Sequence, residues 1–240
     1  MKKIIAFLAT TIIGSSAIFA LSFELDVNYQ FGINSSVKPS TVLDTATGDK
    51  VEIPKDAREK YSYMTPFGLA VNGNIYFASF NIVDIGLNVG AGFDISNDLT
   101  ISDDTSKISI RKDVIKPLKD AGFDASFIGI GGFGKIGLAT RYNLHEKHSL
   151  YFAPAFIIGG ETFTRKVADT TGKTKVIYYG LDLDLGYRLW FTDIVGLDLG
   201  LNIDAPIGVS ISDDASPDIK MKGIGAAFKL YAGVAFNFGK

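Results

Sequence analysis

The chain has 240 residues, no cysteine, and 24 basic side chains against 26 acidic ones. This near balance excludes a basic nucleic-acid footprint, and the absence of cysteine excludes a disulfide scaffold or a thiolate metal site. Hydrophobic residues make up 47% of the chain, yet after residue 20 no apolar run is long enough for a membrane-spanning helix. Apolar residues must therefore be spread regularly along the chain.

Residues 1–20 have the pattern of a cleaved secretory signal peptide. Two lysines precede an apolar stretch over residues 4–13, and small residues then lead to Ala20, a suitable cleavage point, with Ala17 as a second candidate. A retained anchor helix is the alternative, but the apolar stretch is too short to span a bilayer. We therefore expect an exported mature protein of residues 21–240.

From Leu21 onward the apolar residues recur with a period of two. In residues 23–33 every odd position is apolar and every even position is polar or glycine, as in a strand with one apolar and one polar face. Each such segment is long enough to cross a bilayer. The same alternation predicts seven further strands, at roughly 61–78, 83–95, 125–142, 149–164, 176–191, 195–209 and 223–238.

The charged residues of these segments all fall on the phase opposite to the apolar one. A soluble barrel would have to bury these charges or expose its apolar phase to water. A closed barrel surrounded by lipid suits both faces and pairs every backbone group. The sequence therefore predicts an all-β fold, an eight-stranded antiparallel transmembrane up-and-down β-barrel. The inward charges are Glu24, Asp26, Asp84, Asp94, Lys135, Arg141, Glu161, Asp182, Asp184, Arg188, Asp198, Asp204 and Lys229.

The connections between the predicted strands alternate in length, as an outer-membrane barrel requires. With eight strands, both chain ends then lie on the periplasmic side, where the turns are short. Residues 111–120 are the one candidate for a short helix. We expect long or polar loops at 34–60, 96–124, 165–175 and 210–222, and short turns near 79–82, 143–148 and 192–194.

Aromatic residues cluster near both ends of the predicted strands, which favours two interfacial belts. A general preference of aromatic residues for strands is the alternative explanation. The lower belt would hold Phe77, Phe80, Tyr142, Phe152, Phe191 and Phe238, and the upper belt Phe31, Tyr61, Tyr63, Phe93 and Tyr179.

In this architecture, residues 21–240 resemble the small eight-stranded outer-membrane barrels of the OmpA-transmembrane, OmpX and OmpW type. Residues 230–238 are similar to the C-terminal assembly signal that those proteins offer to the barrel-assembly machinery, with Phe236 and Phe238 as its aromatic residues. In that family the aromatic residue is usually the last one, whereas Gly239 and Lys240 follow here. The resemblance implies the outer membrane of a diderm bacterium, and we expect a monomer in contact with outer-membrane lipid.

Three motifs with known chemistry are better explained by the barrel. Residues 129–134 match the dinucleotide fingerprint GxGxxG, but they lie inside one predicted strand rather than at a turn between strand and helix. His145 and His148 lie in a predicted turn with no third metal ligand evident. The acidic pairs at 103–104 and 213–214 are interpreted as solvated loop residues. We therefore expect no cofactor, no metal site, no catalytic residue and no enzymatic activity.

Whether the predicted lumen is open or closed distinguishes between the two functions that remain, a structural or surface-interaction barrel and a narrow pore. Eight strands leave an interior that side chains fill or that holds one small ligand, and nine inward acids against four inward bases give it a formal charge of −5. Such charges persist when they are paired or hydrated. The expected partners in the middle of the barrel are Lys135, Arg188 and Lys229 with Asp182, Asp184 and Asp198.

We therefore expect a lumen that is largely closed by ion pairs. The corresponding function is a structural or surface-interaction role through long extracellular loops, with an extracellular or host ligand that the sequence does not identify. A narrow pore or conduit for a small solute or cation is the alternative.

Overall fold

The computed structural model describes residues 21–103 and 105–239, so the predicted signal peptide lies outside the described residues. None of the helices in these ranges is long and apolar enough to cross a membrane. The helical elements are a 3₁₀ turn at Lys55–Ala57, a π-helical turn at Ile110–Ile115 and the helix α1 at Lys116–Asp120. The strands are β1 (Ser22–Asp44), β2 (Lys50–Glu52), β3 (Lys60–Phe80), β4 (Val83–Ser96), β5 (Leu99–Ser102), β6 (Lys107–Ser109), β7 (Ala125–His145), β8 (His148–Val167), β9 (Thr170–Trp190), β10 (Val195–Asp213) and β11 (Ser216–Asn237).

The eight long strands form a closed antiparallel ring. Its order is β1, β3, β4, β7, β8, β9, β10 and β11, and β11 pairs back onto β1. The short strands β2, β5 and β6 extend the sheet beside the ring. The predicted eight-stranded antiparallel fold is confirmed. We call the end that holds Leu21 and Gly239 the inner end, and the opposite end the outer end.

The apolar side chains of the alternating pattern face the exterior of the ring. In β4, Leu87 and Val89 are 44% and 51% exposed, whereas Asn88 between them is fully buried. All thirteen charges on the predicted inward phase lie in the interior, twelve of them buried and Arg141 half-buried near the inner rim. This exterior is suited to lipid and would be costly in water.

The strands run further toward the outer end than the alternation predicts. β9 begins at Thr170 and β11 at Ser216. The predicted loops at 165–175 and 210–222 are therefore wrong, because each is a tight turn between two extended strands. The alternation of apolar residues does not extend to these strand ends, because their side chains are polar. The strands continue nevertheless, since the backbone hydrogen bonds of a β-ladder do not depend on apolar side chains.

Two long connections remain at the outer end, at 45–59 and 97–124. The second contains the predicted helix, formed by the π-helical turn and α1, with Pro117 in the first turn of α1, where a missing N–H is tolerated. The Ser109 hydroxyl caps the π-helical turn by accepting the N–H of Lys112 at 3.0 Å. Ile115 is 4% exposed and anchors the segment to the barrel.

β-bulges invert the side-chain phase of β1 and β3 toward the outer end. The register between these strands shifts between Gln30 and Gly32, and again between Gly32 and Ser35. One extra residue in a strand moves the following side chains to the other face. Tyr61 and Tyr63 therefore pack against the buried interior, and the prediction that they belong to the upper aromatic belt is wrong.

The interior at the outer end is apolar, which the sequence analysis did not predict. Phe163 lies at the centre of this region, with its ring 5.8 Å from that of Phe127 and 5.3 Å from that of Tyr63. Close-packed apolar side chains here form a core like that of a soluble domain. This outer cluster consists of Val37, Ala70, Leu99, Phe133, Ile157, Phe163, Val176, Tyr178, Val209 and Ile211.

Leu87→Arg tests the lipid-facing assignment. Leu87 is exposed within β4, so an arginine near the bilayer midplane should lower the free energy of unfolding by about 2–4 kcal/mol. Leu87→Phe keeps an apolar side chain at the same position and should fold like the parent. Urea unfolding in lipid vesicles measures both variants, and equal losses would contradict the assignment. Asn88→Arg is not a suitable control for Leu87→Arg, because Asn88 is buried and donates to the Tyr151 hydroxyl at 2.9 Å.

Candidate functional site in the barrel lumen

The lumen contains four basic side chains, and each of them binds more than one carboxylate. The first is Lys135 of β7, whose Nζ lies 2.9 Å from Asp182 and also bonds to Asp184. The two aspartates are two residues apart in β9, so both point into the lumen. Asn202 of β10 donates its side-chain amide to both carboxylates. The structure thus brings three of the sequence-predicted site residues into one cluster.

Arg188 of β9 forms the second cluster. Its guanidinium bonds to Glu24 and Asp26 of β1, and its Nε lies 3.6 Å from Asp198. The side chain is fully buried, with its guanidinium carbon 4.3 Å from the centre of the Tyr151 ring. A planar guanidinium has five donors in a fixed arrangement, which suits it to several carboxylates at once.

Arg141 extends this network to the inner rim. It bonds to Glu24 and lies 2.6 Å from Asp84, so Glu24 is shared between Arg141 and Arg188. The guanidinium also lies over the Tyr76 ring, 4.5 Å from its centre. The sequence analysis placed these charges on the inward phase but did not pair them.

Lys229 of β11 has partners that the sequence analysis did not assign to it. Its Nζ lies 2.8 Å from Asp94 and 3.6 Å from Asp204, and 4.8 Å from the centre of the Phe133 ring. The phase of a strand tells which face a residue is on but not its height along the barrel axis. The strands of a barrel are tilted and staggered, and Lys229 accordingly meets carboxylates nearer the outer cluster than Asp198.

Glu161 is the one interior carboxylate of the described chain that forms no ion pair. It is 5% exposed and lines an interior cavity of about 20 Å³, together with Asp94, Asp204 and Lys229. A cavity of this size has room for about one water molecule. At this level one base, Lys229, therefore lies among three carboxylates, which is the highest ratio of acids to bases in the lumen.

Uncharged polar side chains supply further donors to the buried carboxylates. Asn28 donates to Asp198 at 2.9 Å, and Asn74 donates to Asp26 at 2.9 Å. The Tyr151 hydroxyl in turn donates to the side-chain amide oxygen of Asn74 at 2.9 Å. The sequence analysis missed these residues, although the inward phase of each strand could have identified them.

The motifs that the sequence analysis set aside have local roles. The glycines at 129–134 lie within β7, without a following helix. The rings of His145 and His148 are 6.0 Å apart, and His148 bonds to the Tyr187 hydroxyl. Across residues 21–103 and 105–239, no group of three or more histidine or carboxylate side chains is arranged to hold a metal ion.

The acidic pairs of the outer turns are partly engaged within the turns themselves. The Asp103 carboxylate accepts hydrogen bonds from the backbone and hydroxyl groups of Thr105 and Ser106, which lower its pKa to about 2. Asp104 lies outside the described residues. Asp213 accepts from the Thr174 hydroxyl at 2.6 Å.

The predicted assembly signal lies at the seam where the ring closes. Phe238 follows the end of β11, and its backbone N–H donates to the Phe23 carbonyl at 2.8 Å. Its ring stacks on Phe23 with centroids 5.8 Å apart and lies 6.4 Å from Phe236. Phe238 nevertheless remains 58% exposed. It is therefore part of the seam while keeping an accessible face.

Arg188→Met tests how far the barrel depends on its central arginine. The substitution leaves Glu24, Asp26 and Asp198 buried without this partner, which should cost about 3–5 kcal/mol of unfolding free energy. Adding Asp26→Asn removes one uncompensated charge and should recover part of the loss. Unfolding of the two single variants and the double variant forms a double-mutant cycle. A cycle with purely additive losses would contradict the pairing.

Comparison with known proteins supports the architecture through structure rather than sequence. No family model matches the chain, and no curated protein matches it in sequence. The outer membrane protein OprG from Pseudomonas aeruginosa is 11% identical, with a TM-score of 0.53 over 94% of this chain and 100% of that one. At this identity the likeness shows the fold alone.

Two other solved structures match at lower TM-scores. The outer membrane protease OmpT from Escherichia coli is 10% identical, with a TM-score of 0.47 over 91% of this chain and 97% of that one. Ail, the attachment invasion locus protein of Yersinia pestis, is 14% identical, with a TM-score of 0.39 over 92% of this chain and 100% of that one.

A closed ring of strands with an apolar exterior belongs in the outer membrane of a diderm bacterium. The chain therefore has the fold of the small eight-stranded outer-membrane β-barrel proteins.

Proposed function

We propose that the protein is a structural or surface-interaction barrel that acts through its outer end and has a closed lumen. The observation that carries the proposal is the sharing of the lumen bases, each of which binds two or three carboxylates. A buried charge that is fully paired is held in place, whereas a hydrated charge lines a path for ions. The interior cavity beside Glu161, of about 20 Å³, is too small to serve as a channel.

The outer cluster supports closure independently of the charges. Ile157, Phe163 and Ile211 are each 2% exposed or less within it. Ile110, at the start of the π-helical turn, packs against the same cluster. Ions would have to cross these desolvated apolar contacts to leave the polar part of the lumen, and such a crossing is unfavourable.

The outer end has the features of an interaction surface. Its two long connections present large apolar side chains, with Val51 63% exposed, Ile108 47% and Phe123 54%. Apolar side chains on an otherwise polar surface are typical of binding sites. We infer that an extracellular or host ligand binds here to a monomeric barrel. No enzymatic reaction is part of the proposal.

A narrow cation conduit is the second candidate. The nine carboxylates and four bases of the lumen leave a formal charge of −5, which favours cations over anions in any path that opens. Glu161, without an ion pair, would then be the natural place for a cation to pause on its way past Lys229.

Single-channel recording from the pure protein in planar bilayers distinguishes the two candidates. The closed barrel should give no steady conductance. Lys229→Ala should leave the bilayer silent as well, because the outer cluster still seals the lumen. Lys166→Ala is the matched control, since it removes the same charge from a surface pair with Asp124. Small cation-selective openings that grow in Lys229→Ala but not in the control would support the conduit and contradict the closed lumen.

Phe238→Ala tests the further proposal that this residue is part of a signal for the barrel-assembly machinery. The variant should lower the amount of folded barrel in the outer membrane of cells. Phe191→Ala is the control, because Phe191 is 59% exposed, close to the 58% of Phe238, and lies in an inner turn rather than at the seam. Heat-dependent gel mobility measures the folded fraction. Equal reductions in both variants would show that the effect is a loss of interfacial aromatics rather than of a signal.

A further inference from the structure

Four basic side chains surround an open cavity on the outer part of the barrel. The cavity has a volume of about 720 Å³. We call it the basic pocket and define it by Lys60, Lys107, Arg111 and Lys112, all of them exposed. These residues come from β3, β6 and the π-helical turn, so three separate elements converge on one cavity.

Within residues 21–103 and 105–239, the four cations of the basic pocket have no ion-paired carboxylate. The acid that lines the pocket, Asp98, accepts the Ser109 hydroxyl at 2.7 Å and the backbone N–H of Arg111 at 3.0 Å. At the same end of the barrel, Lys166 lies 2.7 Å from Asp124 and Lys175 lies 3.4 Å from Asp214. Unlike these two lysines, the four cations of the basic pocket share one cavity and have no ion-paired carboxylate among the described residues.

The scaffold of the pocket is held by specific hydrogen bonds. The Ser109 hydroxyl accepts the N–H of Lys112 at 3.0 Å, and the Asp113 carboxylate accepts the N–H of Ser109 at 2.7 Å. Together with the bonds to Asp98, these contacts position the backbone of Arg111 and Lys112 before any ligand arrives. Preorganisation of this kind lowers the entropic cost of binding.

The pocket lies where the lipid-facing surface ends. Met64 and Pro66 line the same cavity, and Met64 is 47% exposed on the outer surface of β3. Phe67, three residues further along β3 toward the inner end, is 41% exposed and packs on Phe93 in the apolar exterior. The cavity therefore has an apolar wall on the side of the lipid-facing surface and cations on the side beyond it.

We propose that the basic pocket binds the phosphate-bearing headgroup of an outer-leaflet lipid. Arginine and lysine are the residues that proteins use to bind phosphate, and basic residues beside a membrane attract anionic lipids. A free phosphate shares this chemistry, but the apolar wall of Met64 and Pro66 favours a ligand that carries acyl chains. The proposal depends on the outer-membrane location and not on the closed lumen, so a conducting barrel would leave it intact.

Titration of the folded full chain with lipid A in a neutral detergent tests the site, with bound lipid counted by native mass spectrometry. We expect one lipid A to be retained per barrel. Binding should weaken about five-fold for each cation removed, so Arg111→Gln with Lys112→Gln should weaken it about 25-fold. Lys60→Gln with Lys107→Gln should have a similar effect from different elements, which protects the test against misfolding of the first variant.

The matched control is Lys166→Gln with Lys175→Gln, which removes the same charge from paired lysines at the same end and should leave binding unchanged. Monophosphoryl lipid A, with one phosphate fewer on the same acyl chains, should bind more weakly than lipid A. Equal weakening in the control variant, or retention of phosphatidylcholine as strong as that of lipid A, would overturn the proposal. Displacement of lipid A by an equal concentration of inorganic phosphate would show a free-anion site and overturn the lipid assignment.

Discussion

Four positive charges hold together an interior that would otherwise repel itself. Nine carboxylates share the interior of an eight-stranded ring, and all nine are buried. Removing a charge from water is costly, and good geometry with several hydrogen bonds is needed to offset that cost. Each base is therefore placed between two or three carboxylates, and neutral amides donate to several of these carboxylates, among them Asp26, Asp182 and Asp198.

Several of these ion pairs connect strands that are not neighbours in the ring. Arg188 of β9 reaches Glu24 and Asp26 of β1, and Lys229 of β11 reaches Asp94 of β4. In both cases two other strands separate the partners in the ring. Backbone hydrogen bonds hold adjacent strands together around the circumference of the ring, whereas these ion pairs link non-adjacent strands through the lumen. The two sets of interactions together resist both opening and flattening of the ring.

The interior changes character along the barrel axis. The polar network occupies the inner and middle parts, and the outer cluster lies toward the outer end and reaches down to Ile157, which pairs with Lys135 between β8 and β7. Within the bilayer the apolar side chains are needed on the outside, so the inside is polar. Beyond the bilayer the exterior meets water, and the usual burial of apolar residues returns. The same strands thus suit lipid along one part of their length and water along the other, because their apolar side chains face outward in the first part and inward in the second.

Periodicity and charge placement predicted the eight strands and the direction in which the thirteen charges point. They failed where local backbone geometry decides the outcome. The bulges near Gly32 leave no mark on composition, so Tyr61 and Tyr63 were assigned to the wrong face. The outer strand ends have polar sequences that resemble loops. The partners of Lys229 depend on stagger between strands that are distant in the sequence, which a single-strand pattern does not contain.

The seam between β1 and β11 makes closure depend on the last strand. It pairs Glu24 with Asn237, so the first and last strands meet only after the whole ring between them exists. A chain that stops before β11 does not form a smaller barrel, because its sheet keeps two unpaired edges, and unpaired backbone groups are not tolerated in hydrocarbon. Closure therefore requires the complete set of eight long strands, because any smaller set of them leaves the sheet with exposed edges.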